Sequence, residues 1–335
     1  MATIREIAQK VGVSPATVSG VLSNNPKLSV SDETRNKIIH AAKNMNYKKK
    51  VSKPLVTKIA FLYWITEITE LEDVYFKTMR LAVESQVEKR QIELVRVTAE
   101  DGVGAIPRDI EGAIAIGAFT KDELNHLHAL SPNVVFIDTS PNDDVFDSVL
   151  PDIEKFTRKI VRFFVKEGHT KIGMLGMHDI DKDSGSFRRD PRENAFRAEM
   201  QEHGLLNENY IFIRQHATLK EGYCGMIEAI EKLGDELPTA FFIATDALAI
   251  GALQALNEKD VKVPNRVSVF SINNIKVASY VSPPLTTYHI SGEELVNIAF
   301  EMLNEKMASG REMPLKVLMS SRPVFRKSTL LREGI

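Results

Sequence analysis

Two sets of residues in this sequence have types and spacing suited to chemistry. The first lies in the opening fifty residues, where Ala16, Thr17, Ser19 and Gly20 form the outward face of a short helix that begins at Ser14-Pro15. Around them, residues 1–58 carry eleven Lys and Arg against three Asp and Glu, a net charge of +8, whereas the other 277 carry 32 against 42, a net −10. A small basic module joined to a large acidic body suits a chain that meets a polyanion with one end only. The second set sits where apolar runs stop: Trp64, Asp138, Thr245 with Asp246, and Asn273 with Asn274. Ligands of open α/β sheets bind beyond the carboxyl ends of the strands, so these residues are candidates for a polar ligand site.

The elements that must position the first set are three helices. Thr3 and Glu6 have the spacing of a capping box. Ile4, Ile7, Ala8 and Val11 then recur at helical spacing, and Gly12 ends the helix. Ser14 caps the second helix with Pro15 at its first position, and Val18, Val21 and Leu22 form its inner stripe. A third helix starts at Ser31, with Asp32 and Glu33 at its positive end, and runs through Ile38, Ala41, Ala42 and Met45 to Tyr47. Only Gly12 and Val13 separate the first two, which is helix-turn-helix geometry. Three such helices with a basic surface make a DNA-reading headpiece.

From Ile59 onward apolar runs alternate with amphipathic stretches. Strands are expected over 59–64, 92–97, 113–116, 134–138, 171–175, 211–214, 240–244 and 268–272, and helices over 74–88, 122–129, 153–167, 193–202, 220–233 and 246–257. Continuous apolar strands separated by helices predict an α/β fold with parallel sheets covered on both faces. Eight of them predict two doubly wound sheets in tandem, with the pattern restarting near Asp152.

Composition excludes several classes. Hydrophobic residues at 43% and charged residues at 26% rule out intrinsic disorder. A single cysteine, Cys224, rules out a disulfide scaffold and a Cys-based zinc site, and suits a reducing cytoplasm. There is no apolar run of 18 residues for a membrane helix, and MATIREIAQK has charges where a secretory signal needs an apolar core, so a cytoplasmic location is expected. No GxGxxG opens a helix after the first strand, and neither GxxxxGK[ST] nor GxSxG occurs, so enzyme readings lack support. His126 and His128 are not spaced to share a metal on a helix, and Asn142–Asp147 lacks the Gly and terminal Glu of a calcium loop. No metal or cofactor is expected.

The run TIREIAQKVGVSPATVSGVLSNNPKLSVSDETRNKI, with its VSxATVS core and closing NY, resembles the headpiece of LacI/GalR-family repressors. YFKTMRLAVE, VVFIDT, FIATDALAIGAL and PPLTT resemble landmarks of that family's core, which folds like the periplasmic sugar-binding proteins, so the likeness spans nearly the whole chain. TELEDVYFKTMRLAVE and NNPKLSVSDETR are most similar to galactose-operon and evolved-β-galactosidase repressors. The resemblance implies a headpiece over 1–47, a basic hinge over 48–58, a first core subdomain over 59–152 plus about 285–312, and a second over 153–284 plus about 313–335. The chain would cross back after PPLTT, the helix from Gly292 would join the first subdomain, and the final strands between Leu315 and Arg326 the second. With no heptad tail before Ile335, a homodimer is expected.

The partner implied is double-stranded operator DNA. The residues that would meet it are Thr3, Ser14, Pro15, Ala16, Thr17, Ser19 and Gly20, with Asn24 and Tyr47 beyond them. Two departures from the family pattern bear on reading. Gly20 stands where the family has an Arg that donates to a guanine edge, a contact worth roughly 1–3 kcal/mol of discrimination. The hinge KKKVSKPLVTK is short, lysine-rich and broken by Pro54. Lys48, Lys49, Lys50 and Lys53 are candidate phosphate contacts, and Leu55 a candidate minor-groove wedge without the family's spacing; a flexible tether is the alternative.

For the core, the resemblance implies a small sugar between the subdomains. A pyranose offers hydroxyls to carboxylates, amides and guanidinium groups, and an apolar face to an aromatic ring. Asp138 of VVFID matches an acceptor for sugar hydroxyls, and Arg192 of PRENAF matches an arginine that clamps the effector with its forked donors. Thr245 and Asp246 in ATDALAIG, and Asn273 in SINNI, complete the polar set, with Trp64 and Tyr75 as stacking surfaces. Asp246 reads equally as a helix N-cap, and Trp64 equally as core. The expected function is a repressor of a sugar-utilisation operon, released from DNA by a galactoside. The alternatives are a sugar sensor with weakened DNA reading, or a carbon regulator with a phosphoprotein corepressor.

Overall fold

The structure, a computed structural model, describes residues 3–22, 30–45, 56–131 and 133–331. Asn24, Tyr47, Lys48, Lys49, Lys50, Lys53 and Leu55 lie outside the described residues. The chain divides into two compact units, Met1–Pro54 and Leu55–Ile335.

The first unit contains α1 (Ile4–Val11), α2 (Pro15–Leu22) and α3 (Asp32–Asn44). Each starts on the side chain that its sequence supplies. The Glu6 amide donates to Thr3 Oγ1 at 3.3 Å while the Thr3 amide donates to Glu6 Oε2 at 2.7 Å. The Thr17 amide donates to Ser14 Oγ at 3.0 Å, and that of Thr34 to Ser31 Oγ at 3.3 Å. Gly12 turns the chain at φ 76°, where a side chain would be strained. The helices close on Ile7, Ala8, Val18, Val21, Ile38, Ala41 and Ala42. Against so small a core, caps worth about 1 kcal/mol each are a large share of stability.

In the second unit, strands β1 (Lys58–Trp64), β2 (Glu93–Thr98), β3 (Gly112–Gly117), β4 (Val134–Ile137) and β5 (Asp147–Pro151) alternate with helices α4 (Glu67–Glu72), α5 (Val74–Arg90) and α6 (Lys121–Leu130). After β5 come α7 (Ile153–Lys166), β6 (Ile172–Ile180), β7 (Phe187–Arg189), α8 (Pro191–Glu202), β8 (Ile211–Arg214) and α9 (Leu219–Leu233). The chain ends with β9 (Ala240–Ile243), α10 (Asp246–Glu258), β10 (Ser268–Asn273), β11 (Thr286–His289), α11 (Gly292–Ser309), β12 (Lys316–Met319) and β13 (Pro323–Val324).

The first sheet has the order β12-β5-β4-β3-β1-β2 and is parallel throughout. The second runs β13-β11-β10-β9-β6, with β7 and β8 both pairing to β6; only β13 and β7 are antiparallel. In each sheet the strand order reverses beside the first strand, at β1/β3 and at β6/β9. Those two switch points are where an open α/β sheet leaves a crevice. Helices α9 and α10 pack backbone to backbone: a Cβ on Gly222 would strike Leu248 O, and one on Gly251 would strike Leu219 O.

Two assignments of the chain to subdomains change. The region expected to rejoin the first subdomain at about 285 begins with β11, which pairs with β10 in the second sheet, so the crossing comes only after His289. The region expected in the second subdomain from about 313 begins with β12, which lies beside β5 in the first sheet. The Leu315 carbonyl takes the Ser148 amide and the Asp147 carboxylate takes the Leu315 amide, holding that strand at the edge. The acidic run before β5 hid this strand from periodicity. Asp147 is fully buried there against both Arg311 and Lys306, at 2.7 and 3.7 Å.

Candidate functional site

The two switch points bring residues from both sheets together. β4 ends at Ile137, and Asp138 then turns the chain at φ 68°. Its Oδ1 accepts the Tyr75 hydroxyl at 2.8 Å. Tyr75 is held there because Asp73 caps α5, accepting the Tyr75 amide at 3.0 Å. From the second sheet, Asp190 caps α8 ahead of Pro191 and binds Arg192 three times: the amide at 2.8 Å, Nε at 2.7 Å and Nη2 at 2.8 Å. The remaining arm, Nη1, reaches the Ala244 carbonyl at 3.3 Å, just past the end of β9. Arg192 is thereby clamped over the β6/β9 switch point.

The charges of this group are coupled. Burial pushes the Asp138 carboxyl up to about 6, although the Tyr75 hydroxyl and Arg192 pull the other way. Burial also raises Asp73, and raises the Tyr75 phenol well above its ordinary value, with Asp138 adding to it. Burial opposes ionisation of Asp190 too, but Arg192 overcomes this and holds that carboxyl below the usual range. Arg192 is raised in turn by Asp190 and Asp138 against the burial that opposes its charge. The result is one fixed cation among carboxylates, in which Asp190 is taken up by Arg192 while Asp138 and Asp73 each accept a single hydrogen bond among the described residues.

Asn273 closes the second sheet's contribution. It ends β10 at φ 127°, followed by Asn274 at φ 58°, and such backbone persists only where its surroundings hold it. The Ile290 amide donates to the Asn273 carbonyl at 3.1 Å, and Arg326 Nη2 donates to Asn274 Oδ1 at 2.7 Å. Asn273 is 5% exposed, and its carboxamide makes no hydrogen bond among the described residues. Asp138 and Asn273 are thus two strand ends at positive φ with polar capacity unspent among the described residues.

The other expected contacts are used differently. Asp246 is fully buried and accepts from Thr287 Oγ1 at 2.7 Å, from the Ile275 amide at 2.8 Å and from the Ser271 hydroxyl. It ties α10 to β10 and β11, and its acceptors are spent within the fold. Thr245 is the N-cap of α10, accepting the Leu248 amide at 3.3 Å. Trp64 is 6% exposed, stacks on Phe119 with centroids 4.5 Å apart, and donates Nε1 to Glu123 at 2.9 Å. It belongs to a core cluster with Phe136 and Phe146. Gly117 permits this: at φ 110°, its Cβ would meet the Trp64 carbonyl at 2.7 Å. The Tyr75 ring is buried as well, and only its hydroxyl serves the site. Sequence reasoning missed Asp73 and Asp190, which hold Tyr75 and Arg192. The Asp190-Pro191 pair was the signal, since it reads as an N-cap followed by a first-turn proline.

In the headpiece, Ser14, Pro15, Ala16 and Ser19 are exposed, with Thr17 and Gly20 half-buried. Thr3 and Ser14 spend their hydroxyls on capping.

Sequence comparison supplies the family. A model of the lacI family of bacterial regulatory proteins matches residues 3–50, and one of the periplasmic binding protein-like domain matches residues 161–329. The HTH-type transcriptional regulator GanR of Bacillus subtilis (strain 168) is 48% identical over 328 residues, 98% of this chain and 99% of that protein. The chain belongs to the LacI family. The HTH-type transcriptional regulator GalR of Lacticaseibacillus casei is 33% identical over 98% of this chain and 100% of its own. The fold agrees with a lac repressor dimer bound to operator and the anti-inducer ONPF, at TM-score 0.68 and 22% identity, covering 98% of this chain and 99% of that one. It also agrees with a regulator CelR–cellobiose complex, at TM-score 0.70 and 20% identity, covering 98% and 100%. As a LacI-family member the chain is a DNA-binding transcriptional regulator rather than an enzyme. Among the described residues no helix is long and apolar enough to cross a membrane.

Proposed function

We propose that this regulator is a cytoplasmic homodimeric repressor whose headpieces hold a near-palindromic operator until a small sugar, a galactoside, binds between the core subdomains. The observation that carries the reading is the unspent polarity of the crevice. Asp138 keeps an oxygen without a partner among the described residues, Arg192 faces it with its guanidinium held by Asp190, and the Asn273 carboxamide can donate and accept. A sugar hydroxyl is both donor and acceptor and satisfies such a set without bringing charge into a crowded carboxylate cluster. The relatives GanR and GalR and the cellobiose-bound regulator of the same fold support a saccharide. Galactose is the hexose that the likeness to GalR favours.

Linkage makes the coupling reciprocal: sugar must weaken operator binding by the factor through which operator weakens sugar binding. Fluorescence anisotropy with the chain's own upstream DNA, with and without a panel of galactosides, tests this. The expected outcome is a tenfold or greater loss of operator affinity with one galactoside. Equal affinity with every sugar overturns the reading.

A further inference from the structure

The feature of the second sheet that serves no purpose described so far is the β6–β7 hairpin. β6 has its last partner in β9 at Leu175 and in β8 at Met177, yet it continues to Ile180. Those last residues pair only with β7: His178 with Arg189, Asp179 with Arg188, and Ile180 with Phe187. The turn is wound around Asp181, whose Oδ1 accepts the amides of Asp183 and Ser184 at 3.2 and 2.9 Å, and Arg188 pairs with Asp179 and Asp181. At the tip, Asp183 Oδ1 accepts the Lys121 amide at 3.0 Å. Lys121 is the first residue of α6 and belongs to the other subdomain, so the hairpin bridges from the second sheet to the first at their carboxyl ends.

Under its base is a cavity of about 460 Å³ lined by His178, Phe187, Ile213, Arg214, Gln215 and Glu221. Phe187 is 54% exposed and stacks on His178 with centroids 4.7 Å apart and planes 30° from parallel. A large ring left in water on a two-stranded ribbon contributes little to folding, so its position needs another reason. Around it, Arg214 is aimed by Glu221 at 2.7 Å and Glu228 at 2.9 Å, while Gln215 is exposed and makes no hydrogen bond among the described residues. An aromatic face ringed by a guanidinium, a carboxylate and a free amide is the chemistry that takes a pyranose. The cavity lies on the β8 side of β6, and Arg192 lies on its β9 side, one strand away.

We propose that this cavity is a second saccharide subsite, next to the one at Asp138 and Arg192, and that the effector is therefore an oligosaccharide of at least two rings. The second ring stacks on Phe187 and exchanges hydrogen bonds with Gln215 and Arg214, while the hairpin's hold on Lys121 keeps that wall in place. This rests on the reading that a sugar binds in the crevice.

Calorimetry on the full-length chain with galactose, methyl galactosides and the galactosyl disaccharides lactose, melibiose and galactobiose separates the two claims. One disaccharide is expected to bind at least tenfold more tightly than any single ring. Phe187→Ala removes that advantage and leaves the affinity for the single ring within twofold, with the melting temperature unchanged because the ring is exposed. Gln215→Ala gives a smaller loss of the same kind. The subsite is overturned if Phe187→Ala leaves the disaccharide unaffected, or weakens both ligands alike, while Arg192→Ala abolishes both. If Arg192→Ala leaves sugar binding intact, the crevice reading falls as well.

Discussion

Asp138, half-buried, and Asp246, fully buried, both follow strand ends, and desolvation lifts both carboxyls to about 6. Their surroundings differ in kind. Asp246 receives two hydroxyls and an amide from β10, β11 and the segment between them, all neutral and all internal. Asp138 receives one hydroxyl, from a tyrosine that another aspartate positions, and looks across to an arginine from the opposite sheet. Burial and a displaced pKa are therefore the same signal at a structural knot and at a ligand site. What separates them is the count of donors already spent.

The comparison can be broken most directly at Asp246. Asp246→Ala leaves two hydroxyls and one amide without an acceptor, and buried donors left alone cost about 1–3 kcal/mol each. A loss of about 3 kcal/mol or more in urea unfolding is expected, with sugar affinity preserved in the fraction that folds. Loss of sugar binding with full stability would reverse the assignment.

The pH dependence sharpens the same point. Folded Asp246 titrates near 6 and the unfolded residue near 3.8, so its proton favours the folded state between those values. That contribution is complete below about pH 4 and is lost as pH rises through 6. The stability of the natural chain relative to Asp246→Asn, which cannot titrate, therefore falls between pH 5 and pH 7. A rise in that difference, measured by chemical denaturation at the two pH values, contradicts the burial argument.

Asp138→Asn tests the other side. Replacing a carboxylate that burial disfavours with a neutral amide is expected to hold or raise the melting temperature. Sugar affinity should fall at least tenfold, since the amide offers fewer acceptor sites. The smallest effect belongs to Thr287→Val, which removes one of Asp246's donors at nearly constant shape and should cost about 1 kcal/mol with no change in sugar binding.

Much of this was legible from local pattern. The capping box at Thr3, the stripe through Ile7, Val18 and Ile38, and the strand at 211–214 follow from periodicity and side-chain chemistry within one turn or one strand. So did the place of Asp138 and Asn273 at strand ends, whereas Arg192 came only from the resemblance of PRENAF to the family pattern. β5 was missed because its first residue is an aspartate, neutralised by Arg311 from a segment 164 residues away. β12 was placed in the wrong sheet because an exposed, four-residue edge strand has no pattern that names its neighbour.

By itself, then, the sequence determined the headpiece, the alternation of strands and helices, and the list of polar residues at strand ends. Each of these depends on interactions between residues close in the chain. Tertiary structure alone decided which of those polar groups remain available. Trp64 became core because Phe119 and Glu123 arrived beside it, Asp246 was consumed by Ser271, Thr287 and Ile275, and the Asn273 carboxamide was left without a hydrogen bond among the described residues. Hydrogen-bond capacity is spent or spared by whatever the fold brings within three ångströms, and sequence spacing carries no record of that.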